Sequence, residues 1–111
     1  MHLNTPGRNR AISDDYLEVA EDWVTLDATA RLLEETKSSV FSQRCLATGE
    51  KSVARAELVV KASPEWRDYL EKMVKARTAA NKARIKVEWN RMRLQEWQSD
   101  AANERLAVRA A

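Results

Sequence analysis

The sequence contains no glycine or proline from residue 65 onward. These two residues weaken or stop helices more than any others, so the whole stretch is free to form one long helix. Apolar or amphipathic residues recur in it at alternating steps of three and four, the heptad rhythm of helices that pack along one another. With only two glycines and two prolines among 111 residues, the chain is predicted to be all-α.

The heptad positions of this helix form a seam, the row of side chains at 66, 69, 73, 76, 80, 83, 87, 90, 94, 97, 101, 104 and 108. Some 45 helical residues span about 70 Å, which exceeds the width of a compact domain of this size. Because one hairpin is too short to cover such a helix, we expect the chain to self-associate through the seam. The residues assigned to oligomerisation are Trp66, Tyr69, Met73, Ala76, Ala80, Ala83, Val87, Leu94 and Trp97. A buried Asn90 would fix the register of the packed helices; the alternative is that it lies at the exposed edge of the stripe.

A first long helix is predicted near the N-terminus. Ser13 precedes two acidic residues, which indicates a helix from 14 to about 47. Gly49 suits the left-handed conformation that ends helices. The apolar face of this helix is Val19, Trp23, Leu26, Ala30, Leu33 and Val40.

A short second helix connects the two long ones. Ser52 is expected to cap it, and it extends to about Ala62. Ser63-Pro64 ends it, because the residue before a proline disfavours helix, and Pro64 suits the first turn of the third helix. Its apolar side is Val53, Ala56, Val59 and Val60. The predicted fold is therefore a long-helix hairpin with a short connecting helix, which assembles into an oligomeric helical bundle or ring.

Charge is unevenly distributed along the chain. Residues 1–40 carry four basic and eight acidic side chains, whereas residues 41–111 carry fifteen basic and nine acidic ones. The stretch 72–93 alone contains eight basic residues against one acidic residue, Glu88. This concentration is typical of a nucleic-acid-binding surface. A solvated helix face, or a partner for the acidic first helix in the same or a neighbouring subunit, explains it equally well.

The residue types that catalysis and metal binding need are scarce. The only histidine is His2 and the only cysteine is Cys45, which argues against a histidine base and against a His/Cys metal cluster. A single cysteine forms no internal disulfide and favours a reducing compartment. There is also no apolar run of 18 residues and no apolar signal core. The sequence predicts a cytoplasmic protein outside the membrane that is not an enzyme and binds no metal or cofactor.

Aromatic side chains are interleaved with the basic stretch. Proteins that bind single-stranded DNA combine a cationic track for phosphates with flat side chains on which bases stack. Trp89 lies off the seam, one turn from Arg93, and is the candidate stacking residue; packing against another subunit is the alternative. No motif for sequence-specific duplex recognition is present, so binding is expected to depend on the phosphate backbone. The predicted DNA-binding residues are Lys75, Arg77, Lys82, Arg84, Lys86, Trp89, Arg91 and Arg93.

Residues 61–110 resemble small helical proteins encoded in the recombination regions of tailed phages. Within them, YLEKMVKARTAANKARIKVEW is more distantly similar to the recombination mediator family of T-even-type phages. The shared feature is the step Lys82-Ala83-Arg84 followed by the aromatic Trp89. The resemblance implies a ring-like oligomer that binds single-stranded DNA and helps to load a recombinase onto DNA coated by single-strand binding protein. It assigns DNA binding to Lys82 and Arg84, although the glycine-rich segment that follows this step in the family is absent here.

Two functions of different class follow from these observations. The first is a non-catalytic phage DNA-recombination accessory protein, acting in the host cytoplasm, with single-stranded DNA, itself and a recombinase or single-strand binding protein as partners. The second is a structural or interaction protein, such as a phage assembly component or an inhibitor of a host enzyme, whose basic helix binds an acidic protein surface. Residues 1–12 are predicted to be a flexible N-terminal arm, and residues 13–111 a single helical domain for oligomerisation and DNA binding.

Overall fold

The computed structural model describes residues 11–110, and over that range it consists of three helices. They are α1 (Ile12–Ala47), α2 (Val53–Lys61) and α3 (Pro64–Ala110). This confirms the predicted all-α fold, a hairpin of two long helices with a short connecting helix. The predicted arm lies outside the described residues except for its last two positions, and Ile12 already belongs to α1.

The helix ends around α2 follow the capping residues of the sequence. Gly49 has a φ of +73°, the left-handed conformation predicted for it after α1. The Ser52 Oγ accepts a hydrogen bond from the backbone N–H of Arg55 at 3.3 Å and caps α2. The Ser63 Oγ accepts one from the N–H of Trp66 at 3.2 Å, so it caps α3.

The start of α1 differs slightly from the prediction. The carbonyl oxygen of Ala11 accepts hydrogen bonds from the N–H groups of Asp14 and Asp15, at 3.0 and 3.3 Å. The helix therefore begins at Ile12, and Ser13 lies in its first turn instead of at its cap.

The described residues form two compact units. One comprises residues 25–80, and the other comprises residues 11–24 together with 81–110. Helices α1 and α3 each contribute to both units, whereas α2 belongs to the first alone.

The core of the 25–80 unit is built around Trp66, which is 6% exposed. Its ring lies 5.0 Å from that of Phe41 on α1 and 5.3 Å from that of Tyr69, measured between centroids. The hydroxyl of Tyr69 donates a 2.6 Å hydrogen bond to the carbonyl oxygen of Leu33. Aromatic packing and this hydrogen bond together hold the first turns of α3 against α1.

Only half of the predicted apolar side of α2 is buried. Ala56 and Val60 are nearly inaccessible, but Val53 is 75% exposed and Val59 is 47% exposed. A nine-residue helix that contacts the rest of its unit along one side buries positions four apart and leaves the others in water. The assignment of Val53 and Val59 to the packed side was therefore wrong.

The seam is covered within a single chain for most of its length. From Trp66 to Leu94, every seam position is buried or partly buried, with Ala80 completely inaccessible. We expected one hairpin to be too short to cover the long helix, and over this range that expectation was wrong. Helix α1 is itself 36 residues long. Exposure begins at Trp97, which is 56% exposed, and reaches 77% at Val108.

Arg77 joins α3 to α1 through three hydrogen bonds to carboxylates in the 25–80 unit. Its Nε and Nη2 donate hydrogen bonds of 2.8 and 2.7 Å to the two carboxylate oxygens of Glu34. Its Nη1 donates a third, of 2.8 Å, to Asp27, which also pairs with Arg31 on α1. This forked geometry is the favourable one for an arginine–carboxylate pair. The hydrogen bonds from Arg77 lower the pKa of Asp27 and of Glu34 below their ordinary values of 3.8 and 4.5.

We expect Arg77→Gln to lower the urea midpoint of unfolding at pH 7, because Glu34 loses its arginine partner and Asp27 keeps only Arg31. A lowered carboxyl pKa contributes stability above its ordinary value and loses that contribution as the pH falls through the lowered value. The difference in urea midpoint between wild type and variant should thus be largest above about pH 5.5 and should shrink below pH 4. Arg67→Gln, at an exposed position of the same helix, is the control. Equal effects of the two variants at pH 7 would contradict a stabilising role for the Arg77 contacts.

Candidate nucleic-acid interface

The candidate interface lies on the part of α3 that belongs to the second unit, residues 81–110. Lys82, Lys86, Trp89 and Arg93 are separated by steps of four, three and four, and such positions share one side of a helix. These four residues form the basic stripe. Lys82 and Lys86 are exposed and Arg93 is partly buried. From Lys82 to Arg93 the stripe is roughly 17 Å long, at ~1.5 Å per residue.

Trp89 is the aromatic member of the stripe and is 56% exposed. The guanidinium carbon of Arg93 lies 4.9 Å from the centroid of its indole ring, within the range of a cation–π contact. This contact places the guanidinium over one face of the indole on the helix surface. An exposed ring beside a fixed cation provides the two elements that recognise a base and its phosphate.

Arg84 and Arg91 lie on another side of the helix. Each residue turns a helix by about 100°, so Lys82 and Arg84 are about 200° apart around its axis. A strand that follows one side of α3 therefore meets Lys82 or Arg84 but not both. Arg84 and Arg91 are exposed and continue the heptad position of Arg77.

The five basic side chains between 82 and 93 differ from Arg77 in their partners. Within residues 11–110, none of them has a carboxylate oxygen within the 4.0 Å of an ion pair. The carboxylates of α1 that pair with α3 over the described range are Asp27 and Glu34, and both contact Arg77. The charge of these five residues is thus not neutralised by close contacts within that range.

Two of the predicted DNA-binding residues belong to the other unit, 25–80. Lys75 is exposed there, whereas Arg77 is held by the carboxylates of α1. Sequence reasoning left open whether the acidic first helix meets the basic helix, but it did not single out Asp27 and Glu34. The available signal was their spacing of seven residues, which places two acids on one side of α1.

Asn90 is buried, with 6% exposure, so it does not lie at the edge of the seam. Its side-chain Nδ2 donates a 2.9 Å hydrogen bond to the carbonyl oxygen of Lys86 in the same helix. Asn90 thus bonds to the turn that carries Lys86 in the basic stripe. This hydrogen bond lies within one helix, so it does not fix the register between two helices.

Other kinds of site have little support in residues 11–110. No group of three or more His, Cys, Asp or Glu side chains in this range is arranged to hold a metal ion. None of the helices described is long and apolar enough to cross a membrane. Cys45 is partly buried and forms no disulfide.

Comparisons with known proteins do not assign a family. No protein-family description matches the chain, and neither a curated protein nor a solved structure is significantly similar to it.

Proposed function

We propose that the protein binds single-stranded DNA through the basic stripe of α3, as a non-catalytic accessory protein in DNA recombination. The observation that carries the proposal is the exposed Trp89 beside Arg93, in one row with Lys82 and Lys86. Free cations supply sequence-independent attraction for phosphates, and the indole supplies a surface for a base. The preference for a single strand follows from the indole, because bases in a duplex are stacked on each other and present no free face.

The recombination role rests on the resemblance to phage mediators, in which the Lys-Ala-Arg step binds single-stranded DNA. Of that step, the proposal keeps Lys82 and assigns no strand contact to Arg84, because the two lie on different sides of the helix. A recombinase or a single-strand binding protein remains a proposed partner. No catalytic step is proposed for the chain.

We expect Lys82→Ala/Lys86→Ala to weaken binding to oligothymidylate and to reduce its dependence on salt. Each phosphate contact to a single strand contributes roughly −0.7 to the slope of log K against log salt. Loss of two contacts should flatten that slope by about 1.4, measured by fluorescence anisotropy across a series of salt concentrations.

The matched control is Arg84→Ala/Arg91→Ala, which removes the same charge from another side of the same helix. It should change the slope by clearly less than the stripe variant. Equal salt slopes for the two variants would show that the basic residues attract DNA through their overall charge and not through a defined row of phosphate contacts. Wild-type protein that binds no oligonucleotide at low salt would refute the proposed function.

We expect Trp89→Ala to weaken single-strand binding by about 1–3 kcal/mol, the range for loss of one stacked base. The salt slope should stay unchanged, since no phosphate contact is removed. Met92→Ala is the control, because Met92 is 54% exposed on the same helix but has no ring. Trp89→Phe should retain most of the affinity. Equal losses for Trp89→Ala and Met92→Ala would contradict stacking.

We propose that self-association uses the exposed end of the seam, at Trp97 and Val108. Together with Leu106, which is 60% exposed, these side chains leave apolar surface in water at the end of α3. Sedimentation equilibrium at micromolar concentration should give a mass above that of one chain, and Trp97→Ala/Val108→Ala should lower it. A single-chain mass for the wild type would contradict oligomerisation.

The alternative function is favoured by one contact. Arg77 on the basic helix already binds a pair of carboxylates, so the same helix is able to bind acidic protein surfaces. A phage assembly component or an inhibitor of a host enzyme would use Arg84 and Arg91 in that way.

A further inference from the structure

A cavity of about 320 Å³ lies in the 25–80 unit, next to the aromatic core. It is lined by Lys37, Ser38, Phe41, Ser42, Lys61 and Trp66. Four of the lining residues belong to α1. Lys37 and Phe41 are four positions apart, and so are Ser38 and Ser42, so all four lie on one side of the helix. Lys61 is the last residue of α2, and Trp66 lies in the first turn of α3. The cavity is therefore assembled from all three helices of the unit.

The polar lining of the cavity suits an anion. Lys37 and Lys61 are exposed ammonium groups, Ser38 and Ser42 add hydroxyl donors, and none of the six lining residues is acidic. Lysine binds phosphate as a point charge, and hydroxyl groups donate to its oxygens. Two lysines match the charge of a phosphate monoester, which is close to −2 at neutral pH.

The aromatic lining suits a flat ring. Phe41 is partly buried, and Trp66, which is 6% exposed, packs behind it at 5.0 Å between centroids, so the accessible aromatic wall of the cavity is mainly the ring of Phe41. Lys61 holds its Nζ 5.9 Å from the centroid of Phe41, which puts a cation next to this aromatic wall. An occupant with both a ring and a phosphate would use both parts of the lining.

We infer that this cavity binds the phosphate and base of one nucleotide. The volume is at the lower end of the ~300–1,000 Å³ typical of ligand pockets, which suits a ligand of this size. A free mononucleotide and the 5′-phosphorylated end of a DNA strand share this chemistry. The inference rests on residues of the 25–80 unit and is independent of the basic stripe.

Isothermal titration calorimetry with thymidine 5′-monophosphate on the full chain tests the inference. The nucleotide should bind with one site per chain, and thymidine or inorganic phosphate alone should bind at least tenfold more weakly. Lys37→Ala/Lys61→Ala should weaken nucleotide binding at least tenfold. Lys51→Ala/Lys72→Ala, which removes two exposed lysines of the same unit outside the cavity, should leave it unchanged.

A second variant separates the ring from the charge. Phe41→Leu keeps an apolar side chain in the core but removes the ring, so it should weaken nucleotide binding and leave phosphate binding unchanged. Circular dichroism melting checks that each variant is folded. Nucleotide binding that is unaffected by the loss of Lys37 and Lys61, or that is no tighter than phosphate binding, would overturn the inference.

The two sources of the nucleotide are distinguished on the Lys82→Ala/Lys86→Ala variant, in which the basic stripe is impaired. Oligothymidylate with a 5′-phosphate should bind this variant more tightly than the same strand with a 5′-hydroxyl if the occupant is a strand end. Equal binding of the two strands, with thymidine monophosphate still bound, identifies the occupant as a free nucleotide. Failure of the proposed function would appear as loss of strand binding with nucleotide binding intact.

Discussion

The packing of α3 on α1 in the 25–80 unit is the constraint on which the rest of the structure depends. Tyr69 bonds to the carbonyl of Leu33, and Arg77 forks onto Glu34, the next residue of α1. Two consecutive residues of one helix are thus held by side chains about two turns apart on the other. Ala30 and Ala80 are completely buried in the same unit, and such small side chains allow helices to approach closely. Once this contact is fixed, the rotation of α3 about its own axis in the unit is fixed as well.

In that unit, the rotation decides which basic residue of α3 pairs with the carboxylates of α1. Arg77, at one flank of the seam, reaches the carboxylates of α1 and donates three hydrogen bonds to them, one from each nitrogen of its guanidinium. The stripe that carries Trp89 follows a different side of α3, where no close ion pair forms within residues 11–110. The charge run therefore combines two roles that composition alone does not separate. Arg77 stabilises the hairpin, whereas the cations of the stripe have no close carboxylate within residues 11–110, which is what the proposed contact with DNA requires.

Much of the fold was predictable because it depends on local signals. Gly49, Ser52 and Ser63 act through their own backbone geometry or through hydrogen bonds to residues three positions away, so the sequence is sufficient to place them. The candidate site was predictable only in part. Trp89 and Arg93 are one turn apart in any helix, and their contact follows from that spacing. The partners of Arg77 lie 43 and 50 residues away, and no local rule selects them.

The sequence by itself determined where α1 ends, where α2 and α3 begin and which side of each long helix is apolar, because these features are set by backbone geometry and helical periodicity. The tertiary structure alone decided what covers that side. It buried Asn90 and left Trp97 in water, although both occupy seam positions. It also brought Phe41, Lys61 and Trp66 around one cavity. These outcomes depend on how far each helix extends along its neighbour, a long-range property that periodicity within one helix does not contain.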